Sequence, residues 1–462
     1  MARADAPRTG ALARGAITGL AATRIGMAHM GHRLRTGSAP QDGERQARHE
    51  AELGRILFQA LGQLRGTALK VSQLLSMDTT LLPEGVRREL ARACHQALPL
   101  NRALVGRVFR QSFGQEPEAL FAQFEPQAFA AASLGQVHRA RLNGHGAVAV
   151  KVQYPGIAAT IASDMRLLRA ALKALGQGVL PLPEPPVVER VLQEIEATLH
   201  REVDYLHEAR QLAWFADHAT LPGVVIPRPV ASHTRAQVLT LEHVEGLHLD
   251  AWLQGAPSQA LRDAAGQRLF DWFLHCAFGL GQLHADLHPG NVLFLPDGRI
   301  GMLDFGCTRA LSAGFRADLA RAWSAVLRPE GPDRNQHLLA AYRALGLLAP
   351  SLDQATFTRE LLPVLTPMLD WQVQPLRTPR FDFAHKTAPQ HPAPAQQRLL
   401  ADHLAGMPPE MPAFERAWMG LMHLLTRLGA RVDTANRWIA PPPALTPPKH
   451  ADTKLRPTPT DA

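Results

Sequence analysis

His284-Ala-Asp-Leu-His-Pro-Gly-Asn291, followed thirteen residues later by Asp304-Phe-Gly306, is the stretch on which the reading of this chain turns. Moving a phosphoryl group needs a carboxylate beside the attacking oxygen and oxygen ligands for the metal that bridges the phosphates. Asp286 and Asn291 stand five apart, the Asp-x-x-x-x-Asn spacing of a phosphoryl-transfer loop. Pro289-Gly290 between them favours a turn that lets both side chains face one cavity. Asp304 supplies a second metal position after the strand-like Arg299-Ile-Gly-Met-Leu303. A lone Asp-Phe-Gly arises often by chance. At this distance from the loop, with Val292-Leu-Phe294 as an intervening strand, the combination is specific. His284 and His288 flank Asp286 and raise a His-x-Asp-x-His zinc site as an alternative. Zinc sites usually draw on more ligands than this, and His284 reads better as a residue that holds the loop by hydrogen bonds.

Upstream, Val148-Ala-Val-Lys151 matches the Val-Ala-Ile-Lys strand whose lysine contacts the α- and β-phosphates of a nucleotide. The order is strand lysine, loop aspartate, metal aspartate, as in a two-lobed kinase. Such a lysine needs a helix-borne glutamate to hold it, and Glu202-Val-Asp204-Tyr-Leu-His-Glu208 offers three carboxylates. Helical spacing places neither Asp204 nor Glu208 on the face of Glu202, so Glu202 and Glu208 both remain open as the partner of Lys151. No Gly-x-Gly-x-x-Gly precedes the lysine. Ala130-Ala-Ala-Ser133-Leu-Gly-Gln136 stands there as an Ala-rich loop, and alanine lacks the φ freedom with which glycine brings amides close to phosphates.

Patterning organises the rest. Leu53, Leu57, Leu61, Leu64, Ala68, Val71 and Leu75 recur at three or four, the stripe of a helix over about Gln46–Met77. A second helix starts after Pro83. The runs ending at Leu142 and starting at Ala147 read as a hairpin around Asn143-Gly-His-Gly146, and Gln237–Gly246 as another strand. Beyond it the chain is mostly helical, with Gln372–Gln397 an exposed loop and Met411, Phe414, Trp418, Leu421, Leu425 and Leu428 the stripe of a late core-facing helix.

A chain of 462 residues is long enough for two cores, and 46% apolar residues describe an ordinary globular protein rather than a disordered one. A net charge of +8 suits nucleic acid or an anionic membrane face equally and selects neither. Cys94, Cys276 and Cys307 fit neither a disulfide framework nor a zinc site, which points to a reducing compartment. No transmembrane helix is expected, since the nearest run, Ala16–Met30, is short and interrupted by Arg24. Residues 1–40 hold six arginines and one acid, the pattern of a transit peptide, a membrane-surface helix or a frayed basic terminus.

Together these pieces resemble the UbiB/AarF family of atypical kinases, which supports coenzyme Q biosynthesis. The likeness runs from about Leu64 to Gly306, and more weakly through the late helices. It implies that Ala130, Ala131, Ala132 and Ser133 form the family's Ala-rich nucleotide loop, and that Glu202 and Asp204 are its E-x-D motif. Asp286 and Lys151 take the catalytic positions, and Asn291 and Asp304 hold the metal. Thr240–Val244 falls at the adenine-contacting hinge, making Glu242 and Val244 nucleotide-binding candidates beside Lys151, Glu202 and Glu208. The family also carries a Lys-x-Gly-Gln helix in an N-terminal extension lying over the active site. Here it reads Lys70-Val-Ser-Gln73, with Ser72 in place of glycine, and Lys70 and Gln73 share a helix face. Leu287 is a second departure, at a position where proline is usual.

The expected fold is α+β: a two-lobed protein-kinase-like fold with an all-helical N-terminal extension and a mostly helical C-lobe. The expected layout is a basic N-terminus over 1–45, the extension over 46–118, an N-lobe with inserted helices over 119–246, a helical C-lobe with the catalytic and metal loops over 247–440, and a disordered tail over 441–462. The resemblance implies ATP or ADP and Mg²⁺ as cofactors and a kinase or ATPase acting on a small lipid-like substrate or on the quinone pathway's machinery. The extension would block protein substrates. Expected partners are a nucleotide, a quinone-precursor lipid or coenzyme Q biosynthesis enzymes; nucleic acid is not expected. The location implied is cytoplasmic with peripheral contact to the inner membrane. Two other readings stay open: a choline-kinase or aminoglycoside-phosphotransferase relative, whose loop resembles 284–291, and a non-catalytic nucleotide-binding scaffold.

Overall fold

The computed structural model describes residues 50–55, 57, 67–77, 81–93, 101–132, 134–176, 182–389 and 393–439. The basic N-terminus, Cys94, Ser133 and the tail beyond 440 lie outside the described residues, as does the side chain of Gln73. The described residues group into two compact units, one drawn from Met1–Pro257 and His284–Arg309, the other from Ser258–Leu283 and Ala310–Ala462.

The first unit contains a five-stranded sheet in the order β1-β3-β4-β6, with β2 paired to β3. Its strands are β1 (Gln123–Phe124), β2 (Ala130–Ala132), β3 (Gly135–Leu142), β4 (Gly146–Gln153) and β6 (Val238–Glu242). The hairpin expected around Asn143–Gly146 forms, with Gly144 and Gly146 at φ of 82° and 80°, where only glycine sits without strain. Alternation along β4 buries Val148, Val150 and Val152 on one face. That face packs with Val105, Val108 and Phe109 of α3 (Arg102–Phe113), and Lys151 is left on the other face. The Ala-rich segment is not a loop. Ala130, Ala131 and Ala132 pair antiparallel with Val137, Gln136 and Gly135.

A second core joins α1 (Thr67–Met77) and α2 (Glu84–Ala93) to α4 (Ile157–Gly176) and α5 (Pro185–Glu202). Ile157, Ile161, Met165, Leu168 and Leu172 line one stripe of α4 and are all buried. Each such side chain contributes about 1.5–3 kcal/mol. Thr67 also donates a 2.5 Å hydrogen bond to the Asp164 carboxylate on α4, and both residues are buried. Helix α5 ends at Glu202, and Asp204 caps α6 (Tyr205–His218) by accepting from the His207 N–H at 2.8 Å. A small sheet completes the unit. β5 (Val224–Val225) runs parallel to β8 (Ile300–Met302), which pairs antiparallel with β7 (Val292–Phe294). The β7–β8 hairpin brings Leu303 beside Asn291, whose carbonyl accepts the Leu303 N–H at 2.9 Å.

The second unit is mainly helical. The late helix α11 (Met411–Leu428) turns Phe414, Trp418, Leu421, Leu425 and Leu428 inward as expected, and Trp418 packs on Phe273 of α7 (Gln259–Leu274) and on Trp323 of α8 (Ala313–Val326). Two further helices, α9 (Pro332–Ala344) and α10 (Leu362–Val373), lie between them in sequence. Reading Gln372–Gln397 as an exposed loop was wrong for much of its length. β9 (Arg380–Asp382) pairs with β10 (Arg431–Asp433), and Phe383 and Lys386 are buried. A three-residue strand whose partner lies some fifty residues away leaves no periodic trace in a Pro/Gln/His-rich stretch.

Candidate functional site

Lys151 projects from β4 to the Glu208 carboxylate on α6, at 3.0 and 2.9 Å, and to Asp304 at 3.1 Å. Glu208, not Glu202, is therefore the partner of the strand lysine. Burial pushes the Lys151 ammonium down, and Asp304 and Glu208 together overcome this and hold it well above the usual lysine range. The Glu208 carboxyl is pushed up to about 7, because its burial outweighs the nearby lysine.

Asp286 and Asn291 converge as the spacing required. The Asn291 side-chain amide donates to the Asp286 carbonyl at 2.9 Å, which leaves the Asn291 amide oxygen as an acceptor. His284 donates from Nε2 to the Leu303 carbonyl at 3.0 Å and packs edge-on to Phe305, so it holds the loop against the Asp-Phe-Gly segment. His288 accepts the Gly290 N–H at Nδ1, and its Nε2 lies 3.6 Å from Asp286. Asp304 has φ of 56°, the left-handed region, which a non-glycine residue enters at a cost of about 1 kcal/mol and which recurs at functional sites.

Lys70, on α1, reaches the same cluster. Its ammonium forms an ion pair with Glu202 and a second with Asp286 at 3.4 Å, and all three side chains are buried. Burial lowers the Lys70 pKa, but Asp286 and Glu202 together hold it well above the ordinary value. Asp286 in turn is penalised by burial, yet Lys70 and His288 keep it well below the usual carboxylate range. Lys70 and Lys151 thus each bridge one helix glutamate and one loop aspartate. Ser72 is fully buried with no hydrogen-bond partner for its hydroxyl among the described residues. Two residues of helix rotate it by about 200° from Lys70, so it does not obstruct the lysine's reach.

Several candidates stay outside this cluster. Asp204 spends its carboxylate on capping α6 and is half exposed. Glu242 ends β6 and accepts the Arg228 N–H at 3.0 Å. Val244 lies against Gly301 of β8. The sequence reading overlooked Tyr205 and Gly135, which meet beside Lys151. Their only sequence signal was an aromatic following the E-x-D motif and a glycine following the alanines.

The oxygen donors fit Mg²⁺. Asn291 and Asp304 provide one amide and one carboxylate, and Mg²⁺ is commonly held by one or two carboxylates with substrate phosphates completing its shell. Among the described residues no group of three His, Cys, Asp or Glu side chains forms a metal site by itself.

Residues 93–335 match the ABC1 atypical kinase-like domain. An uncharacterised chloroplast aarF domain-containing protein kinase of Arabidopsis thaliana is 31% identical over 68% of this chain and 43% of its own. The mitochondrial atypical kinase COQ8B of Rattus norvegicus is 33% identical over 60% of this chain and 52% of its own. AarF domain-containing protein kinase 1 of Gallus gallus is 32% identical over 58% and 52%. The chain thus spans about half the length of the curated relatives it matches. A Mycobacterium tuberculosis protein solved in complex with erythromycin superposes with a TM-score of 0.59 at 25% identity, covering 87% of this chain and 99% of that one.

Proposed function

This chain belongs to the ABC1 atypical kinase-like family, the AarF/UbiB group, and on that premise we propose that it is an Mg²⁺-dependent ATPase or kinase that supports coenzyme Q biosynthesis. The observation that carries the reading is Lys151 held between Glu208 and Asp304 in the unit that also holds Asp286 and Asn291. Lys151 orients the α- and β-phosphates, Glu208 fixes Lys151, and Asn291 and Asp304 present oxygens to the metal. When bound, Mg²⁺ neutralises charge on the phosphates. Asp286, kept ionised by Lys70 and His288, orients the attacking oxygen. The β2 alanines with Ser133 cover the phosphates, and Glu242 and Val244 stand at the adenine end.

The acceptor is a small lipid-like molecule or a component of the quinone machinery. Lys70 supports this over a protein substrate, because its ammonium already engages the Asp286 carboxylate that an incoming hydroxyl would have to approach. No helix among the described residues is long and apolar enough to cross a membrane, and the chain acts from the cytoplasmic side by peripheral contact with the inner membrane. Purified protein should hydrolyse ATP only with Mg²⁺, and Asp304→Asn should lower the rate at least a hundredfold; hydrolysis that survives the substitution removes Asp304 from the metal. For the pathway, quinone extracts of a deletion strain should be depleted, restored by the intact gene and not by Asp286→Asn. Normal quinone in the deletion detaches the chain from that pathway.

The same Lys70–Asp286 pair favours a second reading, a nucleotide-binding scaffold that does not turn over while the lysine is seated. Nucleotide binding without hydrolysis under every lipid condition selects it.

A further inference from the structure

Tyr205, the first residue of α6, has no role so far. It is 1% exposed, and its hydroxyl is buried with no hydrogen-bond partner among the described residues. Burying a phenol in this way is unfavourable, and the described residues supply no partner that would offset it. Its surroundings indicate a use. Lys151 Nζ lies 5.3 Å from the ring centroid. Gly135, the first residue of β3, lies against the hydroxyl. A Cβ at residue 135 would come within 2.8 Å of the Tyr205 hydroxyl and 2.4 Å of the Val152 carbonyl oxygen, so only glycine lets this strand end lie against the phenol. The phenol thus touches both the strand lysine and the start of β3, which pairs with the β2 alanines assigned above to the phosphates.

We propose that Tyr205 is a phosphate-binding residue, its O–H donating to a non-bridging phosphate oxygen of the nucleotide beside Lys151. The inference rests on the nucleotide reading and adds to it a residue with no assigned role. Charge explains why a neutral donor belongs here. The cluster sets four carboxylates, Glu202, Glu208, Asp286 and Asp304, against two lysines, so an incoming polyphosphate needs donors that bring no further negative charge. Burial holds the phenol above the ordinary tyrosine value; it stays protonated and donates.

The test uses the full-length chain and Tyr205→Phe, titrated calorimetrically with Mg-ATP, Mg-ADP and adenosine, with the ligand-free melting temperature measured in parallel. Mg-ATP and Mg-ADP should bind the variant on the order of tenfold more weakly, as for loss of one hydrogen bond to a charged group, and adenosine should bind unchanged. The ligand-free melting temperature should hold or rise, because an unsatisfied buried hydroxyl has been removed. Equal Mg-ATP affinity in both proteins overturns the assignment of Tyr205 and leaves the nucleotide site standing. A lowered melting temperature with weaker binding of adenosine as well shows a structural role and overturns it too. Intact protein that binds none of the three probes overturns the nucleotide reading, and this inference with it.

Discussion

The two units each draw a lysine inward, by opposite means. In the first, Lys151 is enclosed by Glu208 and Asp304 at 2.9–3.1 Å, and its charge is held on. In the second, Lys386 donates to the Trp371 carbonyl at 2.7 Å and to Gln374 Oε1 at 3.3 Å, with the Trp371 ring 4.2 Å away. No carboxylate pairs with it among the described residues, and burial pushes its pKa down to about 8. The first arrangement is high-stakes: each partner is tolerable only because the others are present. The second satisfies carbonyls at the end of α10 and gains a cation–π contact, with little depending on the charge. Buried lysine alone is therefore no sign of a site; the carboxylates around it are.

Substitution should separate the two most widely. Lys151→Met strands Glu208 and Asp304 in the interior, and the expected loss is about 3–5 kcal/mol in urea unfolding, together with loss of Mg-ATP binding. A loss under 1 kcal/mol would mean that the carboxylates find other partners or simply protonate. Lys386→Met should change stability by no more than about 1 kcal/mol, since the lost hydrogen bonds are offset by relief of a buried ammonium. The smallest effect is a pH dependence. The Lys386 pKa is about 8 in the folded chain against 10.5 for a free lysine, so between those values the unfolded state binds more protons and stability rises with pH. Melting temperatures of the parent chain, measured against Lys386→Met from pH 7.5 to 10, should show that rise in the parent alone. A flat difference would mean Lys386 titrates normally and the contrast with Lys151 is weaker than drawn.

What was legible in the sequence was local. The span from Asp286 to Asn291, the β7–β8 hairpin and the Asp-Phe-Gly segment declare themselves within two dozen residues, and turn chemistry fixes their geometry. The β3–β4 hairpin and the stripe of α11 are equally self-contained. The partner of Lys151 was not legible, because helix arithmetic assumes one helix and the chain breaks after Glu202. That break re-aims Glu208, sending it to Lys151 and leaving Glu202 to Lys70. Ala130–Ala132 escaped as a strand because alanine has little β preference and the pairing is imposed by β3. Lys386 escaped because its burial depends on Trp371 and on a strand pair closed from far along the chain.

The first unit is discontinuous in sequence: it leaves off at Pro257 and resumes at His284. Lys70 and Asp286 are 216 residues apart, and Lys151 and Asp304 are 153 apart. On a ribosome, both lysines and both glutamates emerge long before either aspartate. The nascent cluster is balanced, two cations against two anions, and contacts this distant form late. Residues 284–309 supply two of the cluster's four negative charges, so the chain's appetite for a counter-cation is complete only once that segment is docked. Anything that supplies that cation favours the docked state by mass action, and loading the site and finishing the fold become one equilibrium.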